Sequence, residues 1–318
     1  SMATYKEIQG EAVVNTSSDI TNEGQVFYNS PGNAYKLSAA TAADAWSSGT
    51  NLPAARSESR GTGTSTNSGI VFGGQLPPGA TGTTFQYDGS SWTSQPSMNT
   101  ARGLFAEGSA GTVTAAIAFG GEPQTDATEE YDGSSWTAGG ALNTSRYTLG
   151  GFGTVTAAVA AGGYVNSPAG TVNAAEEYNG SSWTTVTNYP ASTNALSGVG
   201  PQTAGLIGSG DWYEYDGSNW TAGGTSSNTA GYKSVAGVQT NATSVGGNPP
   251  SNAPTTEKYN GTSWSTSSAT LNTGRYAMAS WGTAAGFGVA GGIEPSRSNK
   301  TEEFVAVDTA KLETIDVT

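Results

Sequence analysis

Glu129-Glu130-Tyr131-Asp132-Gly133-Ser134-Ser135-Trp136 decides the fold, because the chain returns to it with small changes. The other copies are Tyr87-Asp88-Gly89-Ser90-Ser91-Trp92, Tyr178-Asn179-Gly180-Ser181-Ser182-Trp183, Tyr215-Asp216-Gly217-Ser218-Asn219-Trp220 and Tyr259-Asn260-Gly261-Thr262-Ser263-Trp264. A sixth tryptophan, Trp46, precedes Ser47-Ser48-Gly49-Thr50-Asn51-Leu52, which parallels the Thr137-to-Leu142 stretch after Trp136. The tryptophans are spaced 46, 44, 47, 37 and 44 residues apart. A period of this size marks units that cannot bury their faces alone and must stack.

Two further landmarks keep the same order. A small apolar run ends in diglycine at Gly73-Gly74, Gly120-Gly121, Gly162-Gly163, Gly246-Gly247 and Gly291-Gly292, with Gly208-Ser209-Gly210 as a weaker copy. An arginine opens four units, at Arg56, Arg102, Arg146 and Arg275; Asn194 and the stretch 230–232 stand there in the other two. Arginine, diglycine, tyrosine and tryptophan in about 44 residues resemble the kelch repeat over 46–304. That resemblance implies an all-β, six-bladed kelch-like β-propeller. The Gly-His and Trp-Asp signatures of the WD-type repeat are missing.

Each unit divides into strands a to d. Strand a is expected after the arginine, as at Tyr147-Thr148-Leu149; strand b is the apolar run; strand c carries Glu-Glu-Tyr; strand d begins at the tryptophan. Asx-Gly between strand-like flanks predicts a type I′ hairpin turn between c and d. The diglycines suit crowded backbones near an axis; a phosphate-cradling loop would need a helix next. The arginines are expected to reach carboxylates or carbonyls between blades, and the repeat tyrosines and tryptophans to pack there.

The blades open at Arg56, Arg102, Arg146, Asn194, Tyr232 and Arg275. Phe304 ends strand c of the last, and no tryptophan follows it. Trp46 has a strand d without a, b and c. The strand around Trp46 is therefore expected to complete the sixth blade and remove the open edges. Residues 1–40 read as an appendage with a hairpin at 25–37 around Pro31-Gly32 and a further strand within 4–14; Ser1 reads as a tag remnant. The propeller spans 41–307, and 308–318 form a strand packing with the appendage.

Composition narrows the function. Net charge is −13 and the twelve lysines and arginines are scattered, which argues against nucleic acid. Histidine and cysteine are both absent, removing the usual general base, thiolate ligands and the ligands that copper oxidases on kelch propellers use. No long apolar run calls for membrane insertion. Gly-Ser-Ser-Trp superficially resembles the sialidase Asp-box, but Asp132 adjoins Gly133 where that box interposes a residue. The repeated Glu129-Glu130 and Glu176-Glu177 pairs read as framework rather than as a glycosidase dyad. No enzyme, cofactor or metal site is expected.

A ligand is expected at the loops between b and c, which vary, as Gln75-Leu76-Pro77-Pro78 and Tyr164-Val165-Asn166-Ser167-Pro168 show. Off-template aromatics are the candidate binding residues: Trp212 and Tyr213 in strand c of blade four, Tyr164 in a b–c loop, and Trp281 in an a–b turn. The competing reading has them filling gaps left by the short fourth blade. The opening, Lys6-Glu7-Ile8-Gln9-Gly10 and Glu23-Gly24-Gln25-Val26-Phe27-Tyr28-Asn29-Ser30, resembles structural proteins of marine bacteriophages. That resemblance implies a virion or tail-associated protein with a host-surface glycan or protein, or other virion proteins, as partners. A purely structural virion part and a glycan hydrolase are the alternatives.

Overall fold

The computed structural model describes residues 14–16, 25–29, 34–38, 43–103, 107–108, 111–248, 251–306 and 313–315. Its regular structure is all strand, and it divides into two units: 44–306, and 1–43 with 307–318.

The larger unit is a six-bladed β-propeller. Blade one runs Arg60–Ser65, Ser68–Phe72, Thr84–Tyr87 and Trp92–Gln95 from axis to rim. Blades three, four and five repeat this antiparallel meander, with inner strands Gly150–Thr154, Ser197–Val199 and Ser234–Val238. In blade six, Ala279–Thr283, Gly286–Ala290 and Thr301–Val305 are joined by Ala45–Gly49, with Trp46 paired to Phe304. The strand around Trp46 completes the last blade.

Six apolar clusters fill the six joints between blades. Phe72 meets Trp136 and Phe119 meets Trp183 across two of these joints, at centroid distances of 4.8 and 4.9 Å, while within blade six Phe287 meets Trp46 at 5.1 Å. Strand b is covered by a neighbouring blade on each face, so Ile70, Val71 and Phe72 are all buried. A continuous apolar run replaces the alternation of a one-sided sheet for that reason.

Four expectations need correction. Strand a begins at Gly150, not at Tyr147, because Thr148 holds φ 51°, which no extended strand accommodates. The c–d turns are not type I′: only the glycine of each Asx-Gly, such as Gly89 at φ 91°, is left-handed. Instead a four-residue loop closes on the Asp88 carboxylate, whose Oδ1 accepts the Ser90 and Ser91 N–H groups at 2.8 and 2.7 Å. These bonds hold the Asp88 and Asp132 carboxyls well below their ordinary range.

The repeat arginines fold over their own blades rather than across the joint. Arg102 pairs with Glu129 at 2.8 Å, Arg146 with Glu176 at 3.2 Å and Arg275 with Glu302 at 2.6 Å, all buried. What crosses the joint is their backbone: Arg102, Arg146, Arg275 and Arg56 carbonyls accept from Gly74, Gly121, Gly247 and Gly292 of the preceding blade. Those glycines lie at φ 95–122°, and a Cβ on Gly74 would strike Ser59 Oγ. The diglycine therefore exists to let that amide reach its neighbour.

The fourth correction concerns blade two. Its sheet holds Gly111–Thr112, Ala115–Phe119, Thr128–Tyr131 and Trp136–Ala138. Just before it, Glu107–Gly108 leaves that sheet and pairs in parallel with Gly150 of blade three and Ser197–Gly198 of blade four.

In the smaller unit, Val14–Thr16, Gln25–Asn29, Ala34–Ser38 and Glu313–Ile315 form one sheet in that order from edge to edge. The expected strand within 4–14 lies outside the described residues save for Val14, as do the Pro31-Gly32 turn and Ser1.

Candidate functional site

The two ends of the propeller differ. At one, the c–d turns repeat almost unchanged. At the other, the b–c loops and d–a links meet, and here the blades diverge. Three b–c loops form hairpins of their own: Gln75–Leu76 with Gly79–Ala80, Tyr164–Asn166 with Ala169–Thr171, and Ile293–Glu294 with Ser296–Arg297. Each docks on its d–a link by a single bridge, Ser57 to Gln75, Tyr147 to Tyr164 and Tyr276 to Ile293.

Beneath these loops the links form a belt. Glu58, Thr148, Ala195, Tyr232 and Ala277 occupy equivalent positions, all left-handed at φ 51–59°. Each such non-glycine residue costs about 1–3 kcal/mol, and the ring of blades over-determines the conformation. Ala195 N–H donates to Thr148 O at 2.8 Å, Tyr232 to Ala195 at 3.2 Å, Ala277 to Tyr232 at 3.0 Å and Glu58 to Ala277 at 2.8 Å. The blade-two counterpart, position 104, lies outside the described residues.

Two tyrosine pairs stand on this face. Tyr147 and Tyr164 approach to 5.5 Å between centroids, and Tyr232 and Tyr276 to 6.1 Å. All four are half-buried. Tyr147 donates its hydroxyl to Asn166 Oδ1 at 3.2 Å, and burial, Glu122 and Tyr164 raise its pKa above the ordinary phenol value. Burial also raises the Glu58 carboxyl, with Arg297 opposing and Glu122 reinforcing the shift. The face thus offers aromatic rings, an amide and the carboxyls of Glu58 and Glu122, a set suited to sugar rings and polar peptide.

Of the four candidate binding residues, the structure brings only Tyr164 to this face. Trp212 is 1% exposed and Trp281 0%, so neither meets a ligand. Trp281 is part of an inner strand rather than of a turn, and its indole N–H donates to Thr66 O at 3.0 Å. Trp212 stacks on Trp264 at 4.5 Å in the joint between blades four and five. Tyr213 is half-buried against Tyr189, 5.2 Å away. Trp212 and Tyr213 fill space beside the short fourth blade, and Trp281 fills the joint between blades six and one against Tyr87 and Trp92. Tyr147, Tyr232, Tyr276 and Glu58 were missed; aromatics directly after Arg146 and Arg275, where Gly103 follows Arg102, were the available signal.

The six repeat tryptophans, Trp46, Trp92, Trp136, Trp183, Trp220 and Trp264, and the arginines are framework. Arg56, with Phe85 where four other blades carry glutamate, lies 4.8 Å over that ring and donates to Gly73 and Thr83 carbonyls. Blade five lacks the arginine, and Lys233 supplies the cation from three residues beyond Ala230, 3.3 Å from Glu257. Burial pushes Lys233 down to about 8, against the pull of Glu257. Among the described residues no cluster of three or more acidic side chains could hold a metal ion, and no helix is long and apolar enough to cross a membrane.

Fold and face together define a closed six-bladed β-propeller with one uniform end and one variable, tyrosine-bearing end. No family model matches the chain, and no curated protein matches it.

Proposed function

We propose that the chain is a non-enzymatic recognition module that binds a glycan or protein through the b–c face. The carrying observation is the placement of the Tyr147–Tyr164 and Tyr232–Tyr276 pairs, which the repeat does not need, on the one face where loops vary. Rigid, half-exposed tyrosines give contact area with little entropy to lose. The absence of histidine and cysteine, and the use of Glu129, Glu176, Glu257 and Glu302 in buried ion pairs, favour binding over catalysis.

The kelch-like order of landmarks and the resemblance of the opening to marine bacteriophage structural proteins support a virion or tail-associated role, with a host-surface glycan or protein as partner. The test is a glycan array together with binding to candidate host cells, using the wild type and Tyr147→Ala/Tyr164→Ala. Signal lost in the variant supports the reading; silence of the wild type on both assays refutes it. Release of reducing ends from a bound polysaccharide, abolished in Glu58→Gln, would replace it with the hydrolase alternative.

A purely structural role draws on a different observation, the sheet that unites both chain ends apart from the propeller. Virions that lack the protein would then fail to assemble.

A further inference from the structure

The chain holds two Asn-Gly dipeptides, Asn179-Gly180 and Asn260-Gly261, in c–d turns that blades one, two and four build on aspartate. In the turn of blade one the donors divide between two oxygens. Asp88 Oδ1 accepts the Ser90 and Ser91 N–H groups and the Ser90 hydroxyl, while Oδ2 accepts the Ser91 hydroxyl at 2.9 Å. Asp132 repeats the arrangement with Ser134 and Ser135. In blade three all four donors converge on one atom. Asn179 Oδ1 accepts the Ser181 N–H at 3.0 Å, the Ser181 hydroxyl at 2.9 Å, the Ser182 N–H at 2.9 Å and the Ser182 hydroxyl at 3.4 Å. Blade five does the same: Asn260 Oδ1 accepts the Thr262 N–H and hydroxyl at 3.0 and 2.9 Å, and those of Ser263 at 2.9 and 3.5 Å.

Donors gathered in this way stabilise the oxygen on which negative charge develops when a nucleophile attacks Cγ of the asparagine. The backbone nitrogen of the following glycine, once it loses its proton, is such a nucleophile. Gly180 and Gly261 both hold φ 90°, a conformation that keeps glycine in place, and glycine has no Cβ to shield that nitrogen. Both asparagines are exposed, so water reaches them. We infer that Asn179 and Asn260 are sites of spontaneous deamidation, which the folded turn itself promotes and directs to aspartate. Solvent hydroxide takes the Gly180 amide proton, and the nitrogen bonds to Asn179 Cγ. The Cγ–Nδ2 bond breaks, and Nδ2 takes a proton from water and leaves as ammonia, regenerating hydroxide. Water then opens the succinimide ring: its hydroxyl joins Cγ and its remaining hydrogen returns to the Gly180 nitrogen. Opening at the main-chain carbonyl would give isoaspartate instead, but the turn's donors polarise the Cγ carbonyl. The aspartate product also fits the turn. The Asp88 carboxylate accepts the two N–H groups at 2.8 and 2.7 Å, shorter than at Asn179, and those bonds hold it well below its ordinary range. Isoaspartate would insert a backbone atom into a loop closed by the Asn179 N–H on Ser182 O at 3.2 Å. Each conversion adds one negative charge to the uniform end of a chain already at −13.

The experiment incubates the full chain in mildly alkaline buffer, folded and in guanidinium, and follows every asparagine by peptide mass spectrometry, with electron-transfer fragmentation to separate aspartate from isoaspartate. In the folded chain Asn179 and Asn260 should convert ahead of all other asparagines, about tenfold faster than in guanidinium, the effect of one net hydrogen bond in the transition state. Aspartate should dominate in the folded chain and isoaspartate in the unfolded one. Ser181→Ala/Ser182→Ala removes two exposed hydroxyl donors and should slow Asn179 while Asn260 in the same molecule keeps its rate; Thr262→Val should do the reverse, so each turn serves as the control for the fold of the other variant. Conversion in the folded chain no faster than in guanidinium overturns the proposal. So does isoaspartate as the main product of the folded chain, or a rate at Asn179 that ignores the loss of both hydroxyls.

Discussion

Tyr87 donates its hydroxyl to Glu303 Oε1 at 2.6 Å, joining residues 216 positions apart across the seam where the ring closes. The same bond recurs at other joints: Tyr178 to Glu130 at 2.5 Å, Tyr215 to Glu177 at 2.9 Å and Tyr259 to Glu214 at 2.7 Å. The second glutamate of each Glu-Glu-Tyr thus serves the next blade, while the first serves its own arginine. The one blade with phenylalanine for tyrosine, Phe304, follows the one with lysine for that glutamate, Lys258, which turns to Asp44 at 3.2 Å. The two departures match each other.

Tyr87→Phe should lower unfolding free energy by about 1.5–3 kcal/mol, the range for hydrogen bonds to charged groups. Phe304→Tyr should not stabilise, since its hydroxyl would meet Lys258 rather than a carboxylate. Urea titration of both variants checks the pair.

Stability should have a two-part alkaline profile. Burial pushes the Lys233 ammonium down to about 8. Between that value and its ordinary 10.5 the unfolded chain binds more protons, so stability rises with pH. Tyr87, Tyr178, Tyr215 and Tyr259 act in the opposite sense: burial and their glutamates raise the phenols, Tyr178 to about 12. Below pH 10 both states keep the phenolic protons; above it the unfolded chain sheds them first, and stability falls. Tm measured from pH 7 to 12 should rise to about pH 10 and then drop, and Lys233→Met should remove the rise alone.

Breaking a buried ion pair should cost far more than replacing it. Glu176→Ala leaves Arg146 charged and uncompensated, for a loss of about 3–5 kcal/mol; Arg146→Met with Glu176→Met should recover most of it. Chemical denaturation of the single and double variants separates the two effects.

Trp212 stands where a threonine accepts an indole N–H in other blades, and Trp264 Nε1 is left with no hydrogen-bond partner among the described residues. Trp212→Thr would offer that acceptor, yet it empties the joint, and a loss of about 3–5 kcal/mol is expected. Calorimetry decides whether packing or the hydrogen bond prevails. The binding proposed for the tyrosine-bearing face should be unchanged in the surviving fold.

The ring was legible because its determinants are local and periodic: tyrosine, tryptophan and diglycine recur at fixed offsets, and a lone Trp46 matched a last blade without one. The direction of an arginine side chain was not, because the glutamate that serves its own blade and the one that serves the next stand side by side in one dipeptide, as Glu129 and Glu130 show. Trp212 and Trp281 looked like surface aromatics because they break the template, but a large side chain that breaks a template equally fills space that small neighbours leave. Gly69 and Gly288 around Trp281 are that space: a Cβ on either would strike the indole. The compensation of Ala230 by Lys233 lies three residues off register and emerges only once the chain folds back. Tyr147 and Tyr276 were visible in sequence beside their arginines; what brought them to the face of the b–c loops was the docking of those loops on links, which no local pattern encodes.

Everything rests on Ala45–Gly49 completing the sixth blade, and cysteine pairing tests it directly. The chain has no cysteine of its own, and Ala45 lies opposite Val305 in the seam, both exposed. Ala45→Cys/Val305→Cys should oxidise to an intramolecular disulfide in the monomer, readable by mass and gel mobility, and stabilise the fold by up to about 4–5 kcal/mol for so long a loop. Free thiols after oxidation, or disulfides only between chains, would contradict the closed ring.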